Sequence, residues 1–265
     1  MTVSYIILAI PSSNFSRAIP AQLNRIERLY PMNILAIETS SPVLSVALQK
    51  GKTGKILQSS VRGFSKHAEN LFPILEKLLK KARLSIQDID TFLIGRGPGS
   101  FTGLRIGFST LKGFQSLERK DCFGALSLDL IAEQVSLPEG SRLGVCLDAF
   151  RQKVYARFYR RSRGKWQPES KPAARTVAEF ISQLPPDAVL TGNALERYGL
   201  EIKKNSPKIR FLPEKLWYPN ASSLISLFQA GDKKIEKLER PSDFIPLYFR
   251  LSEAEERMKE NVNAG

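Results

Sequence analysis

The sequence predicts a duplicated α/β unit, and three observations carry that expectation. Two short apolar strands end in an acid, Glu38 within residues 33–39 and Asp148 closing residues 143–148, and each leads through a turn into further strands. Between and after them, apolar residues recur at three- and four-residue steps, so strands alternate with helices as in layered α/β folds. The third observation is the run Gly95-Arg96-Gly97-Pro98-Gly99-Ser100-Phe101-Thr102-Gly103-Leu104-Arg105, which follows the apolar Phe92-Leu93-Ile94 and opens a helix-like segment.

Residues 1–31 read differently from the rest. A short apolar run is followed by serines and arginines, with Glu27 as the one acid. That pattern fits a targeting segment or, as we expect, an upstream start ahead of a natural beginning at Met32. Residues 33–39, 43–49 and 56–61, joined by the turns Ser40-Ser41-Pro42 and Gly51 to Gly54, predict an antiparallel meander. Ser65 is the expected N-cap of the next helix, in which Leu71, Ile74, Leu75, Leu78 and Leu79 form one apolar stripe. Ser85 to Asp88 reads as a short capped turn, and residues 91–94 as the strand that enters the glycine run. A helix over 104–117 offers Ile106, Thr110, Leu111 and Phe114 for packing, and its small residues Gly103, Gly107, Ser109 and Gly113 would admit another helix.

Residues 122–124 predict a strand and 126–135 a helix. Pro138-Glu139-Gly140 marks the boundary between a first subdomain, residues 32–137, and a second, residues 138–250. In the second, strands are expected at 143–148, 154–159, 188–190 and 209–211, and helices at 176–184 and 221–229. Residues 251–265 form a polar tail expected to fray.

Strand, glycine-rich loop and helix start together make a place where backbone N–H groups can meet an anion. The loop does not match the P-loop, since no Gly-Lys-Ser/Thr closes it, nor the dinucleotide fingerprint, whose glycine spacing it lacks. It is not a nucleophile elbow, because Ser100 stands between Gly99 and Phe101. A tight crossover in which glycine serves geometry alone is an equal alternative.

Composition limits the function classes. The chain has 265 residues, 42% of them hydrophobic and 25% charged, the balance of a globular protein. Cys122 and Cys146 are the only cysteines; they suit a reducing compartment and two small buried side chains. His67 is the only histidine, so a two-histidine metal site cannot be built from this chain alone. The net charge of +14 favours contact with nucleic acid or another polyanion, with Arg160, Arg161, Arg163 and Lys165 as candidate phosphate contacts.

Four pieces together carry a resemblance: Ile34-Leu35-Ala36-Ile37-Glu38-Thr39-Ser40, Ser65-Lys66-His67-Ala68-Glu69-Asn70-Leu71, the glycine run to Arg105, and Asp148 followed by Val154-Tyr155-Ala156. In this order they resemble the TsaB (YeaZ) family, bacterial proteins required for threonylcarbamoyl-adenosine modification of tRNA. The resemblance spans Met32 to about Arg250. It implies an actin-like, ribonuclease-H-like fold of two subdomains, as in the sugar-kinase superfamily.

It also implies a non-catalytic, cytoplasmic subunit that scaffolds and activates a TsaD-type transferase acting on the adenosine next to the anticodon. A TsaE-type ATPase is implied as a further partner, tRNA is reached through the complex, and no membrane is involved. The first-subdomain helices are the implied interface, through Leu71, Ile74, Leu75, Leu78, Gly103, Ile106, Gly107 and Thr110, and a homodimer of the isolated chain through that face is compatible with this. No cofactor and no metal are expected of the chain itself, with ATP binding confined to the complex. The transferase's His-x-x-x-His helix falls on residues 126–133, where no histidine stands. Glu38 occupies a position where aspartate is more usual. The alternative is an ATP-dependent small-molecule kinase or ATPase of the same fold, with Glu38, Thr39, Ser40, Gly97, Gly99 and Ser100 as candidate nucleotide or phosphate contacts. A peptidase is the weakest reading, because no Ser-His or Cys-His arrangement supports it.

Overall fold

The computed structural model describes residues 32–63 and 66–249; the leading segment 1–31, the cap position Ser65 and the tail 251–265 lie outside the described residues. The first sheet has the spatial order β12-β5-β4-β1-β2-β3. Its meander is β1 (Ile34–Glu38), β2 (Val43–Gln49) and β3 (Ile56–Arg62), paired antiparallel, while β4 (Thr91–Gly95) and β5 (Asp121–Ala125) run parallel to β1. The second sheet repeats the scheme as β11-β10-β6-β7-β8. Here β6 (Arg142–Asp148) pairs antiparallel with β7 (Lys153–Ser162), β7 with both β8 (Lys165–Pro168) and β9 (Ala173–Thr176), and β10 (Val189–Thr191) lies parallel between β6 and β11 (Arg210–Phe211).

The first half places its third, second, first, fourth and fifth strands in that order, and the second half repeats it once β9, which pairs off the path with β7, is set aside, the duplicated ribonuclease-H-like arrangement of the actin-like fold. The central strands β1 and β4 are buried along their whole length, which requires cover on both faces. On one face the cover is α1 (His67–Ala82) and α2 (Phe101–Leu117), whose Leu71, Leu75, Leu78, Phe108 and Leu111 pack on Leu35, Ile37 and Phe92. On the other it is α3 (Ser127–Glu133), through Leu130, and α6 (Ala221–Gln229), through Leu224, Ile225 and Leu227. The helix α3 also packs Leu128, Ile131 and Ala132 against the second sheet, so it sits between the halves. Its Asp129 is buried and takes hydrogen bonds from Arg157 Nη1 (2.9 Å) and Tyr159 Oη (2.6 Å) on β7, fastening one subdomain to the other.

The expected boundary needs correction. Residues 221–229 pack on the first sheet, and β12 (Ile235–Lys237) pairs antiparallel with its edge strand β5. The chain crosses into the second subdomain near residue 138 and returns to the first near residue 221. The short helix α4 (Val177–Ser182) and the longer α5 (Ala194–Asn205) cover the second sheet; α5 was not expected, because Gly199 and five charged residues break its pattern.

Candidate functional site

The glycine run is the end of β4 and the start of α2, and its spacing has a physical cause. A Cβ built on Gly95 would stand 1.8 Å from Glu38 Oε2; on Gly99, 2.1 Å from the Ser40 carbonyl oxygen; on Gly103, 2.1 Å from that of Thr39; on Gly107, 2.5 Å from Thr39 Oγ1. Glycines four residues apart thus seat the turn 38–40 against the loop and helix. The seat is closed by hydrogen bonds: Ser100 N–H donates to Ser40 O (2.7 Å), and the Gly103 N–H donates to Ser100 Oγ (3.2 Å), which caps α2. The loop's far side carries Gly97, whose φ of +93° suits glycine, and the C-terminal segment covers it through Leu247 N–H to Arg96 O (2.8 Å) and Tyr248 stacked on Phe101 at 4.3 Å.

Glu38 is fully buried. Its Oε1 accepts from the Ser40 N–H (2.6 Å) and its Oε2 from Ser127 Oγ (3.1 Å), while burial pushes its pKa up. It acts as a local clamp facing Gly95. Thr39 Oγ1 faces Gly107 and has no hydrogen-bond partner.

Between the subdomains lies a cleft of about 400 Å³ lined by Ser40, Ser41, Gly99 and Ser100 from the first half and Asp148, Phe150, Asn193, Glu196 and Arg197 from the second. Of the candidate nucleotide contacts, Ser40, Gly99 and Ser100 reach it; Glu38, Thr39 and Gly97 do not. Asp148 accepts from the Phe150 N–H (2.8 Å) and lies 3.5 Å from Arg197. Asp148 and Glu196 are the carboxylates that line this cleft and Glu38 does not, and among the described residues no three His, Cys, Asp or Glu side chains gather as metal ligands. His67 is buried with its ring nitrogens 3.0 Å from the carbonyl oxygens of Gly63 and Ser41, a packing role. Both cysteines are free and buried, and burial pushes the Cys122 thiol up to about 12.

A second concavity, about 430 Å³, runs between α1 and α2 on the outer face of the first subdomain. Its lining includes Ala68, Leu71, Phe72, Thr102, Arg105, Ile106, Ser109 and Thr110, and Phe72 is 59% exposed. This corrects most of the interface expected from sequence. Ile74, Leu75 and Leu78 are core, and Gly103 and Gly107 pack on the turn 38–40, because an apolar stripe first covers its own sheet. Only Leu71, Ile106 and Thr110 line the groove. Sequence reasoning missed Phe72, whose signal was a large aromatic one step off the stripe.

The comparisons with known proteins agree with this architecture. The family model described as TsaD, tRNA N6-adenosine threonylcarbamoyltransferase, matches residues 62–256. The tRNA threonylcarbamoyladenosine biosynthesis protein TsaB of Escherichia coli is 30% identical over 173 residues, covering 63% of this chain and 74% of the relative. That of Bacillus subtilis is 29% identical over 235 residues, 87% of this chain and 99% of the relative. Among solved structures, YeaZ from Pseudomonas aeruginosa superposes with a TM-score of 0.66 at 23% identity, covering 81% of this chain and all of that one, which bears on the fold. The chain therefore belongs to the threonylcarbamoyltransferase-like domain family, in its TsaB (YeaZ) branch, with a role in tRNA threonylcarbamoyladenosine biosynthesis.

Proposed function

We propose that the chain is a non-catalytic subunit that binds a TsaD-type transferase through the α1–α2 groove and favours its active conformation. The observation that carries this reading is the exposed Phe72 in a groove whose floor is apolar and whose walls are two rigid helices. An aromatic in such a position acts as an anchor: exposed when free, desolvated when a partner helix fills the groove. The clamp role of Glu38 supports the absence of chemistry in the cleft. The TsaE-type ATPase and tRNA would then be met in the assembled complex, with any ATP bound there. Binding that favours one transferase conformation acts by population shift and needs no reacting group here.

The test is co-expression with the cognate transferase. Phe72→Asp should weaken the complex by roughly 30-fold or more, the scale of a 2 kcal/mol anchor, and threonylcarbamoyl modification of tRNA should fall with it. Normal folding of the variant, checked by circular dichroism, with co-purification intact would overturn the reading.

A further inference from the structure

Beside Arg96, at the start of the glycine loop, lies another cleft, about 450 Å³, between the β5–β12 edge of the first subdomain and the β7–β8 hairpin of the second. Its lining includes four cations, Arg96, Arg157, Lys233 and Lys234, and three carboxylates, Asp129, Asp232 and Glu236. Arg96 is built into the wall. Its stem lies over Gly124, where a Cβ would stand 2.6 Å from the Arg96 Cδ, so glycine at 124 is what lets the guanidinium lie along the cleft. That guanidinium is under-used: Nη1 donates to Glu236 Oε2 (2.8 Å), but Nε is buried without a partner. A buried donor left unpaired is costly, and native structures rarely leave one so unless a ligand or solvent completes it.

Charge favours an anion as that ligand. Asp129 is consumed by Arg157 and Tyr159, and Asp232 by Lys234. Glu236, the present partner of Arg96, has a side chain 68% exposed and is free to swing into solvent. Lys233 is exposed at the mouth, and the surface continues onto Lys165 and Arg161 of the adjoining hairpin.

We propose that this cleft binds a phosphate group through Arg96 and Lys233, beside the Lys234–Asp232 pair. The phosphate is carried either by a polynucleotide strand running onto the hairpin or by a small phosphate ester. An arginine fork with a free Nε–H and Nη–H edge pairs with two phosphate oxygens, and the lysine supplies point charge.

The experiment is an NMR titration of the full-length chain, following arginine Nε–Hε resonances, first with inorganic phosphate and then with a single-stranded RNA decamer. The Arg96 resonance, identified by its loss in Arg96→Gln, should shift saturably with at least one probe. Arg96→Gln should weaken binding about 10-fold, and Lys233→Gln, an exposed change that leaves the fold intact, about 3-fold. Saturation by phosphate with no gain from the decamer identifies a small ester as the source. Tighter binding of the decamer, falling with salt and with Lys165→Gln, identifies a strand. Absence of a saturable shift with both probes, or equal affinity in Lys233→Gln and Arg96→Gln, overturns the site. None of these readouts depends on the transferase, so failure here leaves the groove proposal standing, and the reverse.

Discussion

Replacing Gly95 by alanine tests whether the glycine run exists to seat the turn 38–40. The new methyl would stand 1.8 Å from Glu38 Oε2, far inside contact distance, so the carboxylate must leave. It then loses the bonds from Ser40 N–H and Ser127 Oγ, each worth about 1.5–3 kcal/mol when the acceptor is ionised, at a fully buried position. Alanine recovers only about 0.5–1 kcal/mol of backbone entropy over glycine. The net cost should be about 3–4 kcal/mol, or roughly 10 °C in melting temperature for a protein of this size. The decisive assay is a double-mutant cycle by urea denaturation with Glu38→Ala. Once the carboxylate is gone, Gly95→Ala should cost less than about 1 kcal/mol, giving a coupling energy near 2–3 kcal/mol. A penalty unchanged in the Glu38→Ala background, or a single variant as stable as the parent, would refute the seating argument.

Two further outcomes follow from buried carboxylates. Because the folded state holds the Glu38 proton more tightly than the unfolded chain, above about pH 4.5 it keeps more protons than the unfolded chain does, and the stability contributed by this group falls as pH rises through that range. Glu38→Gln cannot titrate there, so its stability relative to the parent should improve steadily as pH rises from 4.5; a flat or opposite trend in denaturation midpoints contradicts the assignment. In the bridge between subdomains, Arg157→Met leaves Asp129 buried without its cation and should cost about 3–5 kcal/mol. Tyr159→Phe, which removes one bond to the same carboxylate, should cost about 2 kcal/mol; the reverse order in thermal or urea unfolding would mean that the hydroxyl, not the guanidinium, holds the halves together.

Much of the fold is written locally. The meander β1–β3, the strand β4 and the helices α1, α2 and α6 were legible because period-two and period-3.6 patterns are properties of contiguous residues. The destination of α6 was not. Its Ala221, Leu224, Ile225 and Leu227 announce a buried helix, but nothing local says that they pack on Ile34, Ala36 and Leu93, far earlier in the chain. The site followed the same division. That the glycines make a strand-to-helix crossover was visible; that they are spaced to receive Glu38, Thr39 and Ser40 was not, since that partnership is long-range. The stripe from Leu71 to Leu78 is apolar as expected, but its Ile74, Leu75 and Leu78 cover the chain's own sheet, because periodicity identifies a face and cannot tell which surface covers it.

The seating of the turn bears on how the proposed non-catalytic subunit would act. Residues 96–106 contribute in succession to three surfaces: Arg96 to the basic cleft, Gly99 and Ser100 to the inter-subdomain cleft, and Thr102, Arg105 and Ile106 to the outer groove. Four close approaches and the Ser100 bond to Ser40 fix this stretch to β1 in one position. In the proposed complex a partner is pushed toward one conformation only by differential affinity, which a groove held in place by these contacts would supply. A preassembled groove also avoids the ordering cost that a flexible one would incur on binding. On this view the glycine run serves in the proposed assembly to hold the groove in one shape, and a fixed shape is the property that a scaffold would contribute to its enzyme.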